Sequence, residues 1–480
     1  MKLLTSKAAS SAFIALFLVG CGGGGDGNSG GGGGGGDDTK TKTILGQLVM
    51  PQASTVLAAK TQQALKARTP VTQAVDPACP NVPDGYQPIA NTSVDILDAD
   101  GKKIDSLTTD NCGAFDTKVA EAAVSLTVTP AGHATLTSSL AIFNSSTATA
   151  SAMPVGASLA ISSIQYTGNG SLAFSVTDSV TNKAVLGLTQ AAISVFDGQT
   201  QLPIQSFGNA IAAQEPASVA LVLDASGSMY DMVTTDYSRF NLASAAAHLF
   251  LNGKHADDEV AAVIFDAGVS PIDDAFLATQ KFLDGGGNPV SFTISANGFT
   301  QDVKKLRVVA DMYNPDSKMW GDHWPIDRHP DNPYTVDSWY PWGGSTALWA
   351  AAAQGVDMVA AQSNKRKLVV AMTDGMNNQP PYDSTALIDK AKQAGIPVHM
   401  IAFGEEYSVD EDAMKEVALQ TGGEYHRRAD ASIADLFTSI QTGIRHQYTL
   451  KLANTVAAST ILRLKVSLGG DSVEREVTAN

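Results

Sequence analysis

The chain has 480 residues, enough for about three domains with cores of their own. Its 44% hydrophobic content excludes a disordered chain, and 32 Lys+Arg against 48 Asp+Glu, a net charge of −16, argues against nucleic acid and anionic lipid as partners. Three cysteines are too few for a disulfide scaffold or a zinc ribbon, and beyond the first twenty residues no apolar run reaches the roughly 18–20 residues of a membrane span.

The chain opens with Lys2 and Lys7, then the apolar run Phe13-Ile-Ala-Leu-Phe-Leu-Val-Gly20, then Cys21. A basic start before a short apolar core predicts a secretory signal over 1–20. Leu18-Val19-Gly20-Cys21 resembles the lipobox of bacterial lipoproteins. The resemblance implies cleavage before Cys21 and lipidation of that cysteine. Gly22, where Asp would favour inner-membrane retention, implies the outer membrane. The expected location is therefore the bacterial cell envelope, on the periplasmic or surface face, with the lipid as the only membrane contact. Residues 21–42 are Gly-rich and predict a flexible tether with a reach of roughly 20–25 Å.

From 43 to 140 the pattern is β. Thr43-Ile-Leu-Gly-Gln-Leu-Val reads as a strand, and Ser93-Val-Asp-Ile-Leu alternates before a hairpin turn at Asp98-Ala-Asp-Gly101. With Thr108-Thr-Asp-Asn-Cys-Gly-Ala-Phe115, this order resembles carboxypeptidase regulatory-like β-sandwiches, which implies a spacer rather than a catalyst. Cys79 and Cys112 are the two thiols left after lipidation. In an oxidising compartment they are expected to form a disulfide, two separate buried thiols being the alternative. A second small β module spans 157–207, with strands expected at 171–178, 183–188 and 192–199.

After Glu215 the pattern changes. Ser218-Val-Ala-Leu-Val-Leu223 is a continuous apolar run, as in strands buried on both faces. Helices are expected over 238–251, 348–360 and 384–394, and further strands at 259–265, 368–372 and 396–403. Strand–helix alternation predicts an α/β fold, a parallel sheet covered on both faces, whose ligands bind beyond the carboxyl ends of the strands. At those ends stand Asp224-Ala-Ser226-Gly-Ser228, Gly343-Gly-Ser-Thr346 and Thr373-Asp374-Gly375. Oxygen donors without Cys or His suit a hard cation.

Asp-x-Ser-x-Ser, the later Thr and the Thr-Asp-Gly after a strand resemble the metal-ion-dependent adhesion site of von Willebrand factor A domains. The resemblance covers 215–445 and implies a Rossmann-like sheet holding Mg²⁺, with Mn²⁺ or Ca²⁺ as alternatives, at Asp224, Ser226, Ser228, Thr346 and Asp374. It implies direct ligation by the hydroxyls, ligation by Asp224 through water, and capture of an exposed acidic residue on a protein partner. The strands of 446–480 are too few for a domain and are expected to pair with 157–207, leaving the A domain as an insertion.

The function expected is adhesion or protein binding, not catalysis. The alternatives are a metal-dependent hydrolase, for which no Gly-x-Ser-x-Gly or His-Glu-x-x-His motif is present, and a structural envelope protein. His399 is expected to be a packed core histidine, and His248 and His255 to be solvated. All five tryptophans fall at 320, 324, 339, 342 and 349. The long segment 309–343 leads into Thr346, so Met229, Tyr230, Trp320, Trp324, Trp339 and Trp342 are expected to form a partner-selecting rim. A self-packed loop is the other reading, and a second cation at His323 and His329 a third.

Overall fold

The computed structural model describes residues 40–52, 79, 81–83, 85–209, 215–232, 238–313, 332–336, 344–380, 382–403, 408–428, 440–441 and 443–479. Cys21, Trp320, Trp324, Trp339, Trp342, His323 and His329 lie outside them, and with them most of the expected specificity segment.

Strand Thr41–Pro51 runs antiparallel to Ala114–Ala120 and Tyr86–Pro88 and parallel to Asn144–Ser151. A second sheet orders Lys103–Thr108, Ser93–Leu97, Ser125–Val128 and Leu136–Ser139. Ile44, Leu48 and Phe115 of the first sheet share one core with Val94, Ile96 and Leu126 of the second. The parallel strand carries this unit to Ser151, past the boundary at 140 that the alternation suggests. Cys79 and Cys112 are joined by a disulfide with Cα atoms 5.2 Å apart. It ties the segment before Tyr86 to the turn at Asp110–Gly113. That turn is held by Asp110 Oδ1, which accepts from the amides of Cys112 and Ala114, both at 2.8 Å.

The next two sheets are completed from the far end of the sequence. Tyr448–Leu452 lies between Ile204–Asn209 and Ser171–Asp178, which pairs in turn with Leu159–Gly168. Ile461–Leu468 pairs with Ile193–Asp197 and with Asp471–Thr478. Phe174, Val195, Tyr448, Leu450 and Leu464 share one core. The expected strand at 183–188 does not form; its backbone makes one isolated bridge, Thr177 to Ala184. Its apolar side chains are nevertheless buried in the neighbouring cores, and its amides find partners outside a ladder: Leu186 N–H bonds Ser151 Oγ and Leu188 N–H bonds the Tyr448 hydroxyl.

Everything from 215 to 447 lies between the two visits to that core. Its six-stranded sheet runs Val269–Pro271, Glu259–Phe265, Ala217–Asp224, Arg366–Thr373, Val398–Phe403, Tyr425–Arg428, all parallel except the first. Ala217–Asp224 is central and wholly buried, and its alternation feeds two layers. Val219, Leu221 and Leu223 pack with Phe240, Phe250 and Val309 of helices Arg239–Asn252 and Val303–Tyr313. Ala220 and Val222 pack with helices Leu348–Ala360, Ser384–Ala394 and Glu411–Thr421. Gly355 lets the first of these helices approach closely, since a Cβ there would stand 3.0 Å from Val222 Cγ2.

The two ends of this domain are clamped by one side chain. Arg366, 3% exposed, donates to the carbonyls of Glu215 and Ile444 and to Gln447 Oε1 at 2.6 Å. Arg475, on the last strand, donates to the carbonyls of Ile161 and Gly423, linking the strands around 161 to the turn after Glu411–Thr421. At that turn Gly422 has φ +85°, and a Cβ there would strike Ile164 O at 2.3 Å.

Candidate metal centre

The central strand delivers Asp224 to the carboxyl edge of the sheet, in register with Phe265, and Arg366–Thr373 ends beside it. Ala225 N–H bonds Phe265 O and Ala347 N–H bonds Asp266 O, so the neighbouring strand end holds two of the three site segments in place. The chain then turns through a 3₁₀ segment, Gly227–Tyr230, which presents Ser226 and Ser228 on one side with their hydroxyl oxygens 3.2 Å apart.

Asp224 has no exposed surface. Its Oδ1 accepts from Ser226 N–H at 2.7 Å and its Oδ2 accepts from the Thr373 hydroxyl. Asp374 is equally buried; Ser228 Oγ–H donates to its Oδ1 at 2.6 Å and Arg239 Nη1 to its Oδ2 at 2.7 Å. Burial, reinforced by the charge of Asp374, pushes the Asp224 carboxyl up to about 7. Burial likewise raises Asp374, against the lowering by Ser228 and Arg239.

Thr346 enters from the start of the Leu348–Ala360 helix and is 4% exposed. Its loop is held by Asn378, whose Oδ1 accepts from Thr346 N–H at 2.7 Å while Asn378 N–H bonds Thr346 O. Asn377 Oδ1 accepts from Trp349 N–H and so caps a helix whose own N-cap, Ala347, has no side chain able to do it. Gly375 faces the cluster. A Cβ there would lie 3.0 Å from Thr346 Oγ1 and 3.8 Å from Ser228 Oγ, so the two hydroxyls border the same small space.

All five expected ligand residues therefore meet in one place. The donor set fits a small hard cation: three hydroxyls, and two buried carboxylates whose mutual repulsion a positive ion would relieve. Among the described residues no group of three His, Cys, Asp or Glu side chains has the spacing of a metal site, so a cation held here would draw on the hydroxyl oxygens as well.

The rim differs from expectation. Met229 is fully buried, because the 3₁₀ turn points it into the core with Phe240, and Tyr230 stacks edge-on against Phe240 with centroids 4.9 Å apart. The exposed apolar groups near the site are Met232 and Met376 instead. Trp349 is a core residue on the helix after Thr346. His248 is not solvated: it is buried with Nε2 2.8 Å from Asp311 Oδ1, whose other oxygen accepts from Asn332. Tyr334 packs on Phe282 and Phe292. Sequence reasoning missed Arg239, Asn377 and Asn378. The two asparagines directly follow Thr373-Asp374-Gly375-Met376, and turn-forming residues there were a usable signal; Arg239 offered none.

Residues 335–441 match the family model of the von Willebrand factor type A domain. The match begins after the Asp224–Ser228 segment, which the strand pairing brings to it. No curated protein matches the chain at the level of sequence. Solved structures similar to it include proximal thread matrix protein 1 from the mussel byssus, at 13% identity and TM-score 0.31 over 48% of this chain and 47% of that one. The chain thus spans about half the length of that protein. A von Willebrand factor type A protein from Catenulispora acidiphila has 11% identity and TM-score 0.32 over 67% and 73%. A mutant of the PilB minor pilin from Streptococcus sanguinis has 14% identity and TM-score 0.33 over 82% and 97%.

Proposed function

We propose that this chain, which carries a von Willebrand factor type A domain, is an envelope-tethered binding module that holds a divalent cation and uses it to capture an acidic group of a protein partner. The observation that carries this reading is the meeting of Ser226, Ser228 and Thr346 with two fully buried carboxylates, Asp224 and Asp374, from three separate segments of chain. Mg²⁺ suits the all-oxygen set, and Mn²⁺ or Ca²⁺ are the alternatives. When bound, the ion supplies a positive centre that neutral hydroxyls leave incompletely satisfied, and an external carboxylate completes it. Cys21 supplies the lipid anchor, Gly22 in place of Asp favours the outer membrane, and the Gly-rich segment sets the module off from the lipid.

A hydrolytic reading is weaker. It requires Ser226 or Ser228 to be activated by a base, and the carboxylate bonded to Ser228, Asp374, is itself paired with Arg239, which weakens it as a proton acceptor. The test is calorimetric titration of Mg²⁺ into the protein and into Asp224→Ala. Wild type is expected to give saturable heat and Asp224→Ala none, with the far-UV circular dichroism of the two alike. Equal heats in both would overturn the reading.

A further inference from the structure

We propose that Arg239 is a built-in cation that holds down the affinity of the empty site for metal and makes metal loading favour the simultaneous capture of an acidic ligand. This rests on the cation site proposed above and adds what tunes it.

Arg239 is the first residue of the Arg239–Asn252 helix. Its backbone is fixed by the Ser238 cap, in which Ser238 accepts from Asn241 N–H and Asn241 Oδ1 accepts from Ser238 N–H, and by its own N–H donating to Asp231 O at 3.0 Å. A positive side chain at a helix N-terminus opposes the helix dipole, so helix stability does not account for an arginine here. The side chain is instead turned to the site. Nη1 lies 2.7 Å from Asp374 Oδ2, 3.4 Å from Asp231 Oδ2 and 3.4 Å from Ser228 O. The Arg239 side chain is 15% exposed and that of Asp374 is 0% exposed, so this pair is poorly screened by water.

Charge balance then decides the order of events. Asp224 and Asp374 ionised, with Arg239, leave the buried cluster with one excess negative charge; Asp231, its side chain 66% exposed, is screened by water and stands outside this balance. A divalent ion alone overshoots to one positive charge. A divalent ion together with an external carboxylate is neutral. Without Arg239 the metal alone would balance the two carboxylates, and the ligand would add an excess negative charge. The guanidinium also occupies the carboxylate oxygen of Asp374 that the Ser228 hydroxyl leaves open. Metal binding and acidic ligand binding therefore favour one another, and Arg239 sets how strongly.

The experiment uses the full chain, with Mg²⁺ as the metal probe and acetate as the carboxylate probe, on wild type, Arg239→Gln, Arg239→Lys and Asp224→Ala. Arg239→Gln is expected to bind Mg²⁺ about tenfold or more tightly than wild type, and to lose most of the gain in Mg²⁺ affinity that acetate produces in wild type. Arg239→Lys keeps the charge and is expected to stay within a few-fold of wild type in both readings. If Arg239→Gln is less stable without metal, its affinity is read from the rise of Tm with Mg²⁺ concentration, which needs no folded apo protein at the outset. Unchanged or weaker Mg²⁺ binding by Arg239→Gln overturns the proposal, as does a full acetate effect in that variant. Loss of Mg²⁺ binding in wild type itself, with Asp224→Ala indistinguishable from it, would instead remove the site on which the proposal stands.

Discussion

Asp224, Asp374, His399 and Arg366 are polar residues placed where water does not reach, and each is handled differently. The two carboxylates are held by hydroxyls and by one guanidinium, and Arg366 by the two chain segments, at Glu215 and at Ile444–Gln447, that it fastens together. His399 lies in the Val398–Phe403 strand, 4% exposed. Burial is the main reason its imidazole is lowered to about 4, with Glu424 pulling the other way. A histidine whose folded pKa lies below its unfolded value contributes full stability above about 6.5, and stability is lost as pH falls through the window from about 6.5 to about 4. Burial lowers His446 as well, to about 3, so both losses run in the same direction. His399→Gln is therefore expected to flatten the acid limb. In urea melts, the wild type should lose on the order of 3 kcal/mol more than the variant between pH 7 and pH 4. Parallel pH curves for the two proteins would show that His399 titrates in the fold as it does in the unfolded chain, and would contradict the lowering by burial.

Among the elements, the helices after the central strand show how a terminus can be completed from elsewhere in the chain. Ser384–Ala394 carries its own Asp383 cap and ends on Gly395 in the left-handed region. Leu348–Ala360 borrows Asn377 instead, and by doing so ties Thr346 to the segment that carries Asp374. The turn at Asp110–Gly113 is organised by Asp110 and locked by the Cys79–Cys112 bridge. The bridge closes a loop spanning 33 positions. Chain entropy gives such a closure roughly 3–4 kcal/mol, so Cys112→Ser should lower the unfolding free energy of the N-terminal sheets by about that amount. In the unreduced protein, Cys79 and Cys112 should take up no alkylating reagent until a reductant is added; labelling without reductant would contradict the bridge.

At the scale of the whole molecule, strands from both sides of the α/β domain build one core, with Tyr448–Leu452 inserted between two strands that lie before that domain, more than two hundred residues earlier in the chain. The arrangement places the two ends of the α/β domain together under Arg366. Among the described residues no helix is long and apolar enough to cross a membrane. The attachment proposed above is through Cys21. Cys21→Ser should move the protein from the membrane fraction to the soluble fraction of an envelope preparation. A variant that still pellets with membranes after a salt wash would mean that something other than the lipid retains it.

Local order was legible in the sequence because it obeys short-range rules. The continuous apolar run from 218 to 223 meant a strand buried on both faces. The helices at 348–360 and 384–394 followed from their periodicity, and the ends of strands from turn-forming Asp, Ser, Thr and Gly. The residues of the candidate site were legible for the same reason, since each of its parts sits at an element boundary. Other features depended on contacts distant in sequence. The burial of Met229 follows from a 3₁₀ turn packed on Phe240, and that of His248 from a helix that brings Asp311 beside it. The failure of a strand at 183–188 follows from Ser151 and Tyr448 taking its amides. Arg239 met Asp374 only because the helix after the first strand packs beside the end of the fourth, 135 positions along the chain. Periodicity and capping record what a residue does with its neighbours in sequence. Which charges share a buried space is decided by the packing of elements, and here that packing set Arg239 against Asp374.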